Sequence, residues 1–77
     1  MMSAKKYLSK DSLAAEIIVA LADYDLSITK TSTALYVHSG TVRYHAKKVC
    51  ESTGLDPFKF YDLCKLLPVA KKILEKG

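Results

Sequence analysis

Glycine and proline are scarce in this chain, three and two among 77 residues, which argues against a disordered or low-complexity segment. Long apolar runs are missing too. The longest, Ile17 to Ala22, is far short of the roughly 20 residues of a membrane-spanning helix, and no stretch has the layout of a signal peptide. The two cysteines, Cys50 and Cys64, form no CxxC pair and have no His, Asp or Glu clustered at metal-ligand spacing. They read as reduced thiols in a cytosolic protein, not as a disulfide or a metal site. No convergent set of nucleophile, base and acid is visible, so no enzyme is expected. Neither a cofactor nor a small-molecule ligand is expected.

The most informative absence is of negative charge. Between Leu26 and Cys50 stand four cations, Lys30, Arg43, Lys47 and Lys48, and not one acid. The eight remaining lysines balance the eight acids, so this third of the chain holds the whole net charge of +4. A local excess of this kind suits an anionic partner, either nucleic acid or an acidic surface.

What is present is a helical pattern. The hydrophobic fraction of 49% is ample for a core, and a chain this short, near the lower limit for one core, reaches stability most readily by helix packing. The expected fold is an all-α, compact bundle of four to five helices forming a single domain over 1–77. Residues 1–8 read as a frayed basic lead-in. A first helix is expected over 9–24, with Ser9 as cap and Leu13, Ile17, Leu21 and Tyr24 at helical spacing. A short second helix follows over 29–36, with Thr29 as N-cap and Ile28, Ser32 and Leu35 facing inward. A turn from Tyr36 to Gly40, plugged by Val37, leads to a third helix that starts at Ser39 or Gly40 and reaches Thr53. Along it Val42, Ala46 and Val49 fall in one narrow sector. Gly54 suits its left-handed C-terminal position. Asp56 and Pro57 signal a last helix over 57–76, with Phe60, Cys64 and Leu67 in one stripe, widened by Leu63 and Leu66, and a kink or break near Pro68.

A short helix, a tight turn and a longer basic helix make up a helix-turn-helix. Ser32 is small enough for close helix approach, Val37 plugs the turn, and the third helix has its apolar face. The turn departs from the common pattern in having Tyr36 where a glycine often stands.

The run ITKTSTALYVHSGTVRYHAKKVCESTGLD, Ile28 to Asp56, resembles the C-terminal helix-turn-helix domain of the PucR and sugar-diacid-regulator transcription factors. His38, Thr41, Arg43-Tyr44, Lys47-Lys48 and Thr53-Gly54-Leu55 carry the resemblance, which is close over that run and looser out to about Leu74. A similar recognition segment occurs in the nucleoid protein Fis and in bacterial enhancer-binding proteins. The resemblance implies a bacterial, cytoplasmic, nucleoid-associated regulator that inserts its third helix into the major groove of double-stranded DNA, with a homodimer as a candidate assembly. Full-length relatives place a sensory region ahead of this domain, and these 77 residues hold none, as in an excised domain or a stand-alone version.

Thr29, Thr31, His38, Ser39, Gly40, Thr41, Arg43, Tyr44, Lys47 and Lys48 are the candidate DNA-binding residues. Several have a plainer alternative. Arg43 reads a base or phosphate, or pairs with a carboxylate such as Asp25. Tyr44 reaches a phosphate or a thymine methyl, or lies over a neighbouring helix. Lys47 and Lys48 bind phosphates or form a solvated face. Thr29 and Thr31 donate to phosphate, or Thr29 simply caps. His38 caps the turn or touches DNA, and His45 only packs. Where the family has Arg-Asn, this chain has Ser39-Gly40, and loss of a bidentate guanine reader removes about 1–3 kcal/mol of base discrimination. Phe60, Leu63 and Leu67 are the expected dimer surface. The rival expectation is a non-enzymatic protein-interaction or oligomerisation module that keeps the helix-turn-helix shell.

Overall fold

Residues 2–75 are described by the computed structural model. They form five helices: α1 (Ala4–Lys10), α2 (Ser12–Asp23), α3 (Ile28–Leu35), α4 (Ser39–Thr53) and α5 (Phe60–Glu75). No strand occurs among the described residues, so the fold is all-α, a small helical bundle as the pattern of the sequence leads one to expect.

The bundle is organised by α2. Ala14, Ala15, Ile17, Ile18, Ala20 and Leu21 are all buried, which leaves only a narrow exposed stripe of Ser12, Glu16 and Asp23. Such a helix must be surrounded, and all four other helices pack on it. Leu8 of α1, Val42 and Val49 of α4, and Leu63 and Leu66 of α5 complete the core. Each large apolar side chain enclosed there contributes about 1.5–3 kcal/mol. Side-chain caps begin three of the helices: Ser3 accepts from the Lys6 amide, Asp11 from Ala14 and Ser27 from Lys30, at 3.2, 3.1 and 3.1 Å.

Several boundaries differ from the sequence reading, each for a definite reason. The lead-in read as frayed folds as α1, because Leu8 is fully enclosed by the core. Ser9 does not cap; its hydroxyl donates to the Lys5 carbonyl within α1. Asp11, non-helical at φ −134°, ψ 80°, breaks the chain between α1 and α2 and caps the latter. Ser27, not Thr29, caps α3. Asp56 does not start α5: its carboxylate accepts the Phe58 amide at 2.9 Å and its carbonyl the Lys59 amide at 3.0 Å, closing a turn before the helix.

Pro68 does not break α5. It is exposed, while Leu66 and Ala70 on either side are buried, so tertiary packing carries the helix through the lost hydrogen bond. The inward stripe of α5 is Leu63, Leu66 and Ala70, whereas Phe60 and Cys64 face out. Met1 and the expected last residues, Lys76 and Gly77, lie outside the described residues.

Because Pro68 removes one amide donor without filling core space, Pro68→Ala should raise unfolding free energy by about 1–3 kcal/mol. The readout is a higher urea midpoint at unchanged m-value; a lower midpoint would mean that α5 needs the proline to seat Ala70.

Candidate nucleic-acid interface

The turn between α3 and α4 is built from backbone hydrogen bonds. The Val37 amide donates to the Ser32 carbonyl at 3.0 Å and the Tyr36 amide to Thr33 at 3.3 Å, the paired pattern of a Schellman motif. Its left-handed position is taken by Tyr36, at φ 58° and ψ 41°, where a side chain costs roughly 1–2 kcal/mol relative to glycine. The phenol projects outward and is 95% exposed. Val37 packs on the core as a partly buried plug. The His38 carbonyl then accepts the Thr41 and Val42 amides and starts α4.

With Val42, Ala46 and Val49 buried, helical geometry sends the polar residues of α4 to the other side. Arg43, Tyr44, Lys47 and Lys48 are exposed, as are His38, Ser39 and Gly40 at the N-terminal end; Thr41 is half-buried. A Cβ added at Gly40 would meet nothing within 4 Å, so the surface there is open. Lys48 Nζ lies 5.8 Å from the Tyr44 ring centre, within cation–π reach. Among the described residues the one contact at salt-bridge distance is His45–Asp11, so Arg43 does not pair with Asp25 and the cations of α4 have no carboxylate partner. Tyr44 is 58% exposed and stands near Tyr7 of α1.

Two candidates fall elsewhere. Thr31 has no solvent exposure and its hydroxyl has no hydrogen-bond partner; it is on the inward side of α3 and cannot reach a phosphate. Leu63 belongs to the core, so of the expected dimer surface only Phe60, 65% exposed, and the half-buried Leu67 are accessible. Thr29 is exposed on the first turn of α3.

His45 does more than pack. Its Nδ1–H donates to Asp11 Oδ2 at 2.7 Å, and the Tyr7 hydroxyl donates to the same oxygen at 3.0 Å, while Asp11 Oδ1 caps α2. One carboxylate thereby ties α1, α2 and α4 together. Tyr7 and Asp11 stand at an i, i+4 spacing that a sequence can suggest; His45 is 34 positions away and only the fold brings it in. Burial pushes the Tyr7 phenol up to about 12 from 10.0, assisted by its hydrogen bond to Asp11, the charge of Asp11 and the nearby Tyr44.

Among the described residues no group of three His, Cys, Asp or Glu side chains could hold a metal ion, and no helix is long and apolar enough to cross a membrane.

Residues 14–67 match the family model of the PucR C-terminal helix-turn-helix domain. No curated protein and no solved structure matches the chain. The matched segment begins inside α2 and ends inside α5, so it includes the whole α3–turn–α4 unit and leaves α1 outside.

A phenol whose pKa is raised by folding stabilises the protein while it keeps its proton. That stabilisation should be complete below pH 10 and disappear as pH climbs from 10.0 towards about 12. Denaturation midpoints across this window should fall more steeply for the parent than for Tyr7→Phe; parallel curves would dismiss the Tyr7–Asp11 coupling. For Thr31, replacing the unpartnered hydroxyl by a methyl of the same shape should raise stability by about 1 kcal/mol. Thr31→Val should also leave any DNA affinity intact, and a loss of affinity at unchanged fold would return Thr31 to the interface.

Proposed function

The chain belongs to the PucR C-terminal helix-turn-helix family, by a match over residues 14–67, and from that premise we propose that it is a DNA-binding transcriptional regulator, or the DNA-binding domain of one. In this reading the N-terminal half of α4 enters the major groove of double-stranded DNA. The observation that carries it is the outer face of α4, where Arg43, Lys47 and Lys48 are exposed and have no carboxylate partner among the described residues. An unpaired cationic helix face backed by a rigid apolar stripe suits the regularly spaced phosphates of a duplex. Arg43 reads a base edge or an adjacent phosphate, Tyr44 and Thr41 contact the backbone or a thymine methyl, and Lys47 and Lys48 neutralise phosphates. His38, Ser39, Gly40 and Thr29 line the approach. No catalytic step is assigned, and the proposed setting is the bacterial cytoplasm, at the nucleoid.

Base discrimination rests on fewer side chains than in relatives with Arg-Asn before the threonine, because Ser39 and Gly40 carry no long donor. A larger share therefore falls to Arg43 and to the shape of the DNA. A single module of this size binds weakly, and pairing two copies on half-sites about 34 Å apart would compensate. Phe60 and Leu67, beside the depression they line with Leu21 and Leu26, are the proposed contact between copies. The same Ser39-Gly40 pair also favours the second reading, a protein-interaction module on a helix-turn-helix shell, since it removes the side chains best suited to reading bases.

Titration with duplex DNA at two salt concentrations separates the readings. Arg43→Ala should cost about 1–3 kcal/mol on a preferred sequence and little elsewhere. Lys47→Ala/Lys48→Ala should weaken all duplexes and lower the salt slope by about 1.8, at about 0.9 per phosphate. Absent binding, or binding unaltered in both variants, rules out the DNA reading.

A further inference from the structure

The first helix lies outside the segment that matches the family, yet it is docked directly against the helix proposed to read DNA. Its path is antiparallel to α4. At one end the Met2 amide donates to the Ser52 carbonyl at 2.8 Å; at the other, Tyr7 and His45 share Asp11 Oδ2. Leu8, with no solvent exposure, anchors the helix between these ties. This segment is therefore a fixed part of the α4 surface, and a charged side chain on it has a defined position relative to that surface.

The charge on α1 is of one sign. Ala4–Lys10 contains Lys5, Lys6 and Lys10 and no acid, and all three lysines are exposed. Their directions follow from helical geometry. Tyr7 points to Asp11 and α4, and Leu8 points into the core about 100° further round. Lys10 and Lys6 fall about 60° and 100° beyond Tyr7 on the side away from Leu8, at i, i+4 to each other, so they flank the α4 side. Lys5 and Ser9 fall on the opposite flank. On α4, Tyr44 and Lys48 stand next to His45, with Glu51 beside them, and helical geometry puts Lys10 and Lys6 on the same outward flank as Lys48. Isolated surface lysines are ordinarily just solvated. These two differ in being held by a helix tied to α4 at both ends and anchored in the core by Leu8.

We propose that α1 is a second DNA-binding element, in which Lys6 and Lys10 neutralise phosphates of the strand bordering the groove that receives α4. The inference rests on the DNA-binding reading of α4 and extends it. Contacts of this type hold the duplex in register without reading sequence. They supply affinity from outside the family's helix-turn-helix unit, in a chain whose Ser39-Gly40 pair has lost base-reading side chains.

The test uses the full chain and duplex DNA over a range of salt, with three double variants: Lys6→Ala/Lys10→Ala, Lys47→Ala/Lys48→Ala, and Lys71→Ala/Lys72→Ala. The last pair lies exposed on α5, which packs on α1 and α2 but not on α4, and removes the same charge. Alanine at exposed helical positions preserves helicity, which far-UV circular dichroism checks. The expected result is a salt slope lowered by about 1.8 for Lys6→Ala/Lys10→Ala, from two phosphates at about 0.9 each, on every duplex alike, with Lys71→Ala/Lys72→Ala at the parental slope. If Lys6→Ala/Lys10→Ala keeps the parental slope, or changes no more than the α5 pair while Lys47→Ala/Lys48→Ala loses slope, α1 is a solvated helix and the α4 reading stands. A parent that binds no duplex overturns both.

Discussion

Everything in this domain follows from the need to enclose α2. Its six buried residues cover more than half of its circumference, leaving one stripe of Ser12, Glu16 and Asp23 to water, and no single partner helix can cover them. Four helices are recruited, and α5 supplies the largest cover by lying along α2 with Leu63, Leu66 and Ala70 inward. The demand is strong enough to override local preferences. It carries α5 through Pro68, and it draws the short α1, weak as an isolated helix, into a defined position through Leu8.

The same enclosure sets the outer surface of α4. Once Val42, Ala46 and Val49 are pressed against the bundle, the direction of every other α4 side chain is decided by the helical period. The turn that delivers α4 at this angle needs a residue in the left-handed region, and the chain uses Tyr36 there. Asp25 and Leu26 also take positive φ, at 53° and 65°, in the α2–α3 connection. Both connections that position α3 therefore hold non-glycine residues in a conformation that costs energy, with the cost offset by the packing on either side. Asp11 adds a polar tie to this apolar arrangement. One side chain caps α2, accepts from Tyr7 and accepts from His45, so the start of the bundle and the middle of α4 are held in a single network.

Charge follows the same division. Asp11 is used internally, and the cations of α4 face outward, unpaired among the described residues although Glu51 shares the surface of Lys47 and Lys48. An anion approaching that side meets α4 and α1 as one surface, not two neighbouring helices, because the ties between them are at both ends of α1.

Much of this was legible in the chain. The helical class, the α3–turn–α4 unit and the inward stripe of α4 follow from spacing alone, since a 3.6-residue period read over Val42, Ala46 and Val49 leaves one solution. The left-handed Gly54 and the local cationic excess were equally readable. Boundaries set by competition between side chains were not. Ser9, Thr29 and Asp56 are all good caps by type, and which of several neighbouring oxygens takes a free amide depends on where packing stops the helix. Thr31 looked like a phosphate donor because its type and neighbours allow it, but the approach of other helices to α3 decides that it is buried. The order of α1, the continuity at Pro68, the outward Phe60 and the Asp11–His45 tie across 34 positions were decided only by tertiary structure. The physical reason is shared: local sequence specifies which helix faces are apolar, whereas the partners those faces meet are fixed only when α2 is enclosed.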